Sequence, residues 1–182
     1  MSTNKTRLDL LGEVPKNTIL AELGTFSGYF ADEILRRCHP QHLYVVDLFE
    51  GVVGSGDENG ENFRSIDMGF MKPHLERHFG GKPVTVVKSD SVSWLLGQPE
   101  GTIDFVYIDT IHDFKQTLAE LVASTRATKR GGWICGHDYD EKFSGVVQAV
   151  DLYCSAFGVP VTIYRGDKLA SFKIINAGRI GG

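Results

Sequence analysis

The sequence predicts an α/β fold: a doubly wound, mostly parallel, Rossmann-like sheet of seven strands that ends in an antiparallel C-terminal hairpin. Short apolar runs rich in β-branched and aromatic residues recur along the chain and stop at acidic, glycine or small residues. Most of them lack polar alternation, as expected of strands covered on both faces. Segments with helical spacing separate these runs, and that alternation is how a parallel sheet wound on both sides reads. At 182 residues with 42% hydrophobic and 23% charged residues, the chain 1–182 is expected to form one domain around its own core.

The first strand is expected at Thr18–Glu22, followed by a glycine turn and a helix over Gly28–Arg37. That helix puts Phe30, Ile34 and Leu35 on one face and two arginines in its last turn. Leu43–Asp47 supplies the second strand. The next stretch, Phe49–Arg64, is too polar for core and too long for a simple connection, which marks a loop at the ligand end. Met68–Phe79 reads as a helix interrupted by Pro73, and Val84–Lys88 as the third strand. A short helix around Val92–Leu96 leads to the fourth strand, Ile103–Asp109. Phe114–Thr128 spaces Phe114, Leu118, Leu121 and Val122 at helical intervals, with Gly131-Gly132 as its stop. Gly132–His137 is the fifth strand, and Phe143–Phe157 repeats the helical pattern through Val146, Val147, Val150 and Tyr153. Four residues separate the last two strands, Val159–Tyr164 and Leu169–Ile174. That is too few for a crossover helix, so they should form a hairpin at one edge of the sheet. An exposed edge there offers a surface for a homodimer.

Composition removes several function classes. The formal net charge is −4, which gives no general attraction for phosphate backbones or anionic membranes, so neither nucleic acid nor membrane is an expected partner. No run reaches the ~18–20 apolar residues of a membrane span, and the N-terminus lacks the apolar stretch of a signal peptide. Cys38, Cys135 and Cys154 are widely spaced and odd in number, so they read as reduced thiols of a cytoplasmic protein. Glycine is in excess, 21 of 182 residues, which suggests sharp turns and backbone brought close to a ligand.

In open α/β sheets the ligand sits beyond the carboxyl ends of the strands. Those ends carry Glu22, Gly24, Thr25, Phe26, Ser27 and Gly28; then Asp47 and Leu48; then Ser89, Asp90 and Ser91; then Asp109 to His112; and His137 with Asp138. Acidic residues and histidines thus gather on one rim. Gly24 and Gly28 allow the strand-to-helix turn to bend tightly against a ligand. Asp47, ending the following strand, can accept both hydroxyls of a ribose, or else cap a turn. Asp90 can accept from an adenine amino group or cap the next helix.

The blocks Ala21–Leu35 (AELGTFSGYFADEIL), Tyr44–Phe49, Lys88–Ser91, Ile103–Phe114 (IDFVYIDTIHDF) and Gly131–Tyr139 (GGWICGHDY) occur in this order. In them the chain resembles the class I S-adenosylmethionine-dependent methyltransferases. More narrowly it resembles the small-molecule branch that contains the metal-dependent macrolide-sugar and catechol-type O-methyltransferases. The resemblance implies that Glu22 and the turn through Gly28 hold the methionine part of the cofactor, that Asp47 holds the ribose, and that Ser89–Ser91 border the adenine. It also implies that Asp109, His137 and Asp138 bind Mg²⁺ or another divalent cation. Thr110 stands where a glycine or alanine is common, and His137 replaces an acidic ligand. His112 is a candidate general base for the proton of a small hydroxylated acceptor such as a sugar.

Three rival readings are a cofactor-binding module without catalysis, a nicotinamide dehydrogenase, and metal-dependent hydroxyl chemistry other than methylation on the same scaffold. The second draws on Asp47 and on Tyr164 and Lys168, a Y-x-x-x-K pair that falls in the predicted hairpin turn rather than on a helix.

Overall fold

The computed structural model describes residues 1–55 and 64–178. Among the described residues ten strands and six α-helices follow in the order β1 (Ser2–Thr3), α1 (Arg7–Glu13), β2 (Ile19–Leu23), α2 (Tyr29–Cys38), β3 (His42–Asp47), β4 (Val52–Ser55), β5 (Arg64–Asp67), α3 (Met71–His78), β6 (Val84–Lys88), α4 (Ser91–Gly97), β7 (Ile103–Ile108), α5 (Phe114–Ala127), β8 (Thr128–Gly136), α6 (Ser144–Phe157), β9 (Val161–Tyr164) and β10 (Ser171–Ile175). The main sheet has the order β1-β9-β10-β8-β7-β2-β3-β6. β6, β3, β2, β7 and β8 are parallel, while β10 is antiparallel to both β8 and β9. All seven strands expected from the sequence are present in the main sheet. An eighth, the two-residue β1, pairs parallel with the outer side of β9. The hairpin is therefore covered rather than an open edge: Ile163 N–H donates to the Met1 carbonyl (2.8 Å), and the Thr3 carbonyl accepts from Arg165 N–H just beyond β9 (2.9 Å).

Two apolar clusters pack against the two faces. Leu10 and Leu11 of α1, Phe30 and Ile34 of α2 and Leu75 of α3 meet Leu20, Leu43, Phe105 and Tyr107 on one side. On the other, Leu95 of α4, Leu121 of α5 and Val146 and Val150 of α6 meet Leu23, Val46, Val106 and Ile134. Alternate residues of each central strand thus serve opposite cores, which is why those strands carry almost no polar positions.

Several local expectations change. Pro73 does not interrupt a helix: it lies in the first turn of α3, where its missing N–H would have had no intrahelical partner. The buried face of α5 is rotated from the expected one. Thr117, Glu120, Leu121 and Ser124 are buried, whereas Val122 is 49% exposed. β8 begins at Thr128 directly after α5, so Gly131-Gly132 lies inside a strand, at a register shift against β7, and is not the helix stop. The stretch expected as a loop over 49–64 contains β4, paired antiparallel with β5, and its remainder over 56–63 lies outside the described residues. α1 was not expected, although Thr6 and Asp9 form a reciprocal capping box, with bonds of 2.8 and 3.1 Å. No described helix is long and apolar enough to cross a membrane.

Candidate active site

Parallel registry brings the strand ends level. Leu23 lies beside Val46 and Ile108, Asp47 beside Lys88, and Ile108 beside Gly136. The residues that follow these ends, on α/β connections, enclose a cavity of about 610 Å³ lined by Glu22, Gly24 to Ser27, Asp47, Leu48, Ser89 to Ser91 and Asp109 to His112. Its position at the reversal of strand order, between β2 and β7, is where such sheets leave a crevice.

The glycine turn after β2 is built by close backbone approach. Gly24 has φ +82°, and a Cβ there would lie 2.0 Å from the carbonyl oxygen of Asp109. Gly28 has φ +79°, and a Cβ there would meet Leu75 at 2.6 Å. Asp47 braces this turn: its Oδ2 accepts from the backbone N–H groups of Thr25 (3.0 Å) and Phe26 (3.1 Å), and Oδ1 accepts from Phe49 N–H at 2.9 Å. Glu22 is 1% exposed, and burial pushes its carboxyl well above the usual range. Thr25 Oγ1 donates to it at 2.8 Å.

Beyond β6, Asp90 caps α4, its Oδ1 accepting from Ser93 N–H at 2.8 Å. The capping alternative is therefore realised, and it leaves Oδ2. Ser89 Oγ donates to the Asp90 carbonyl (3.0 Å) and Ser91 Oγ to Glu120 (2.5 Å), so both hydroxyl protons are already committed. Leu48 is exposed at the lip.

At the ends of β7 and β8, Asp109, His137 and Asp138 each offer a ligand atom, all within 4.8 Å of one another. His112 Nε2 stands 2.8 Å from Asp138 Oδ2 and 3.4 Å from Asp109 Oδ1. Hydrogen bonds to Asp109 and Asp138 push His112 up to about 9, so the imidazole is charged at neutral pH in this arrangement. Burial opposes ionisation of Asp138, but the His112 and His137 imidazoles beside it hold its carboxyl well below the usual carboxylate range. Both His112 (φ +61°) and Asp138 (φ +59°) occupy left-handed backbone, which residues other than glycine adopt infrequently. Oδ1 of Asp138 is buried and has no hydrogen-bond partner, although His137 Nδ1 lies 3.2 Å away. A buried acceptor left open between a second carboxylate and an imidazole fits a divalent cation.

All the sequence-predicted site residues except Gly28, His137 and Asp138 line the cavity; Gly28 packs against Leu75 behind the turn, and His137 and Asp138 join the cavity edge through His112. Tyr164, the centre of the dehydrogenase reading, lies elsewhere: its hydroxyl donates to Glu13 at 2.9 Å and it does not line the cavity. Sequence reading missed Glu120, Gln116 and the role of Thr110. Thr110 Oγ1 donates to Glu120 Oε2 at 2.9 Å, which explains a hydroxyl where a small apolar residue is common. The available signal was a glutamate at the buried interval of α5, one turn after Gln116 and next to Leu121.

A family model described as a methyltransferase domain matches residues 21–139. No curated protein sequence matches the chain. Among solved structures, a SAM-dependent methyltransferase from Aquifex aeolicus superposes with a TM-score of 0.66 at 16% identity, covering 93% of this chain and 88% of that one. The O-methyltransferase NovP gives 0.66 at 17% identity, with coverages of 95% and 80%. Spermidine synthase from Thermotoga maritima gives 0.62 at 14% identity, with coverages of 94% and 59%, so the fold by itself does not fix which group is transferred.

Proposed function

The chain belongs to the methyltransferase-domain family, and on that premise we propose that it transfers a methyl group from S-adenosylmethionine to a hydroxyl of a small molecule. The observation that carries this reading is the cavity whose walls are the Gly24 turn braced by Asp47, the buried Glu22 and the Asp109–His112 segment. The sulfonium methyl is already electrophilic, so the chemistry needs alignment and exclusion of water more than activation. The acceptor oxygen attacks the methyl carbon, the carbon–sulfur bond breaks with its electron pair left on sulfur, and the acceptor's proton must be removed.

Asp109 presents a carboxylate toward a cationic cofactor, while Glu22, whose charge burial disfavours, contributes a hydrogen-bonding group beneath the turn. Asp47, which already orders the turn, has lone pairs left for ribose hydroxyls. Asp109, His137 and Asp138 are the residues that would hold a divalent cation, and a bound cation would supply a Lewis acid that lowers the acceptor's pKa. His112, 2.8 Å from Asp138 Oδ2 and on the cavity lining, is the group we assign to take the acceptor's proton. It serves as a base only in its neutral form, so a base role requires a rate that rises with pH, a rise that His112→Ala should remove. The acceptor class, a small hydroxylated molecule such as a sugar, is part of the same proposal.

Calorimetry with S-adenosylhomocysteine tests the cofactor: absence of binding at ~1 mM would overturn the reading. Asp138→Asn tests the cation. Turnover is expected to fall about 100-fold or more while S-adenosylhomocysteine affinity stays within about threefold. Activity indifferent to chelator would remove the metal from the scheme while leaving the methyl transfer in place.

A further inference from the structure

We propose that Gln116 reads the exocyclic amino group of the cofactor's purine, and that Glu120 is the positioning residue that decides which atom of the Gln116 amide faces the cavity. The inference rests on the cofactor reading above. Glu120 is completely buried in α5, and no step of the methyl transfer uses its carboxylate. Its neighbours are all donors: Ser91 Oγ at 2.5 Å and Gln116 Nε2 at 3.0 Å to Oε1, and Thr110 Oγ1 at 2.9 Å to Oε2. Ser91 has a single hydroxyl proton and gives it to Glu120, so its lone pairs are free to accept, and they accept from Gln116 Nε2 at 2.9 Å.

This chemistry leaves the amide one orientation. Rotated by half a turn, Gln116 would set its carbonyl oxygen against the Glu120 carboxylate and leave both inner acceptors without their proton. Both N–H groups are therefore consumed inward, and Oε1 is the atom left. Gln116 itself lines the cavity beside Asp90, Ser91, Thr110 and Ile111. The wall formed by α4 and α5 thus offers two acceptors, Gln116 Oε1 and the Asp90 Oδ2 that capping of α4 leaves over. An adenine amino group has two hydrogens and can satisfy both. The C6 carbonyl of hypoxanthine satisfies neither and faces two acceptors with a third.

The experiment compares S-adenosylhomocysteine with S-inosylhomocysteine by calorimetry on the wild-type protein, Gln116→Leu and Glu120→Gln. The wild-type protein is expected to prefer the adenosyl compound about 100-fold or more. Gln116→Leu should weaken adenosyl binding about tenfold and leave inosyl binding nearly unchanged. Glu120→Gln can present its own NH₂ to Gln116, so the Gln116 amide can turn and show a donor to the cavity. The adenosyl preference should then narrow about tenfold, although Glu120 never touches the base. A purely structural role for Glu120 would instead lower both affinities alike. Tight adenosyl binding with the wild-type ratio preserved in both variants would overturn the assignment of Gln116 alone. A wild-type protein that binds neither compound would overturn the cofactor reading, and this assignment with it.

Discussion

A methyl group placed on Gly24 would sit 2.0 Å from the carbonyl oxygen of Asp109, so the turn after β2 and the end of β7 meet backbone to backbone. No side chain can give way there, and φ +82° adds strain of its own. Gly24→Ala is therefore expected to cost ~2–4 kcal/mol of stability and at least tenfold in S-adenosylhomocysteine affinity, measured by urea unfolding and calorimetry. A variant that binds and unfolds like the wild type would show that the two loops separate freely. At this scale the sequence was informative wherever chemistry and position coincide: Glu22, Gly24, Asp47 and Asp109 each follow a run that can only be a strand. It was ambiguous at Asp90, where one carboxylate suits a cap and a ligand equally. It was silent on Gln116 and Glu120, because their meaning depends on a hydroxyl from another helix, that of Ser91, which periodicity does not report.

Elements fix how far those residues can move. α6 enters beside the His112 loop through Gly145, where an added Cβ would lie 2.7 Å from Phe114 N and 2.9 Å from the His112 carbonyl oxygen. Gly145→Val should push α6 off that loop and displace His112, so activity should drop at least tenfold while S-adenosylhomocysteine still binds. A variant of unchanged activity would place the constraint elsewhere. α1 is attached to the far end of the sheet by Glu13, which accepts from Lys5 (2.7 Å), Lys173 (2.8 Å) and Tyr164 (2.9 Å). Burial works against its charge, but the hydrogen bonds from Lys173, Lys5 and Tyr164 win and hold it at about 2, below its ordinary 4.5. A carboxyl depressed in the folded state adds stability that is complete above its unfolded pKa and disappears as pH falls through the folded one. Glu13→Gln should accordingly cost about 1–2 kcal/mol at pH 7, less than the full shift implies because the group is partly exposed and screened. The gap from the wild type should shrink as urea midpoints are taken from pH 5 towards pH 3. A gap independent of pH would mean the residue acts by packing. Helix α5 shows what element-level reading leaves open: its span was legible from spacing, but its buried face was not. Two apolar residues one position apart, Leu121 and Val122, fit adjacent rotations of the same helix, and only contact with α4 and α6 chose between them.

For the whole molecule, a cofactor bound at the centre of the sheet edge contacts connections from four strands and should act as a clamp. If the cavity binds S-adenosylhomocysteine, ligand at 100 times its dissociation constant should add about 2.7 kcal/mol, raising the melting temperature by roughly 5–10 °C. Absence of any shift under saturating ligand would contradict binding at this cavity. The sequence by itself determined the alternation of strands and helices, the parallel sheet and the antiparallel ending, because burial on both faces forces continuous apolar runs and a four-residue link forbids a crossover. It also placed the acidic rim, since parallel strands bring their carboxyl ends to one side. Only the tertiary structure decided that β1 covers the hairpin, that Asp47 braces the glycine turn, and that Asp138 keeps a buried oxygen open beside His112. Each of these depends on which distant backbone or side chain arrives within hydrogen-bond reach, and local patterns of hydrophobicity carry no record of that.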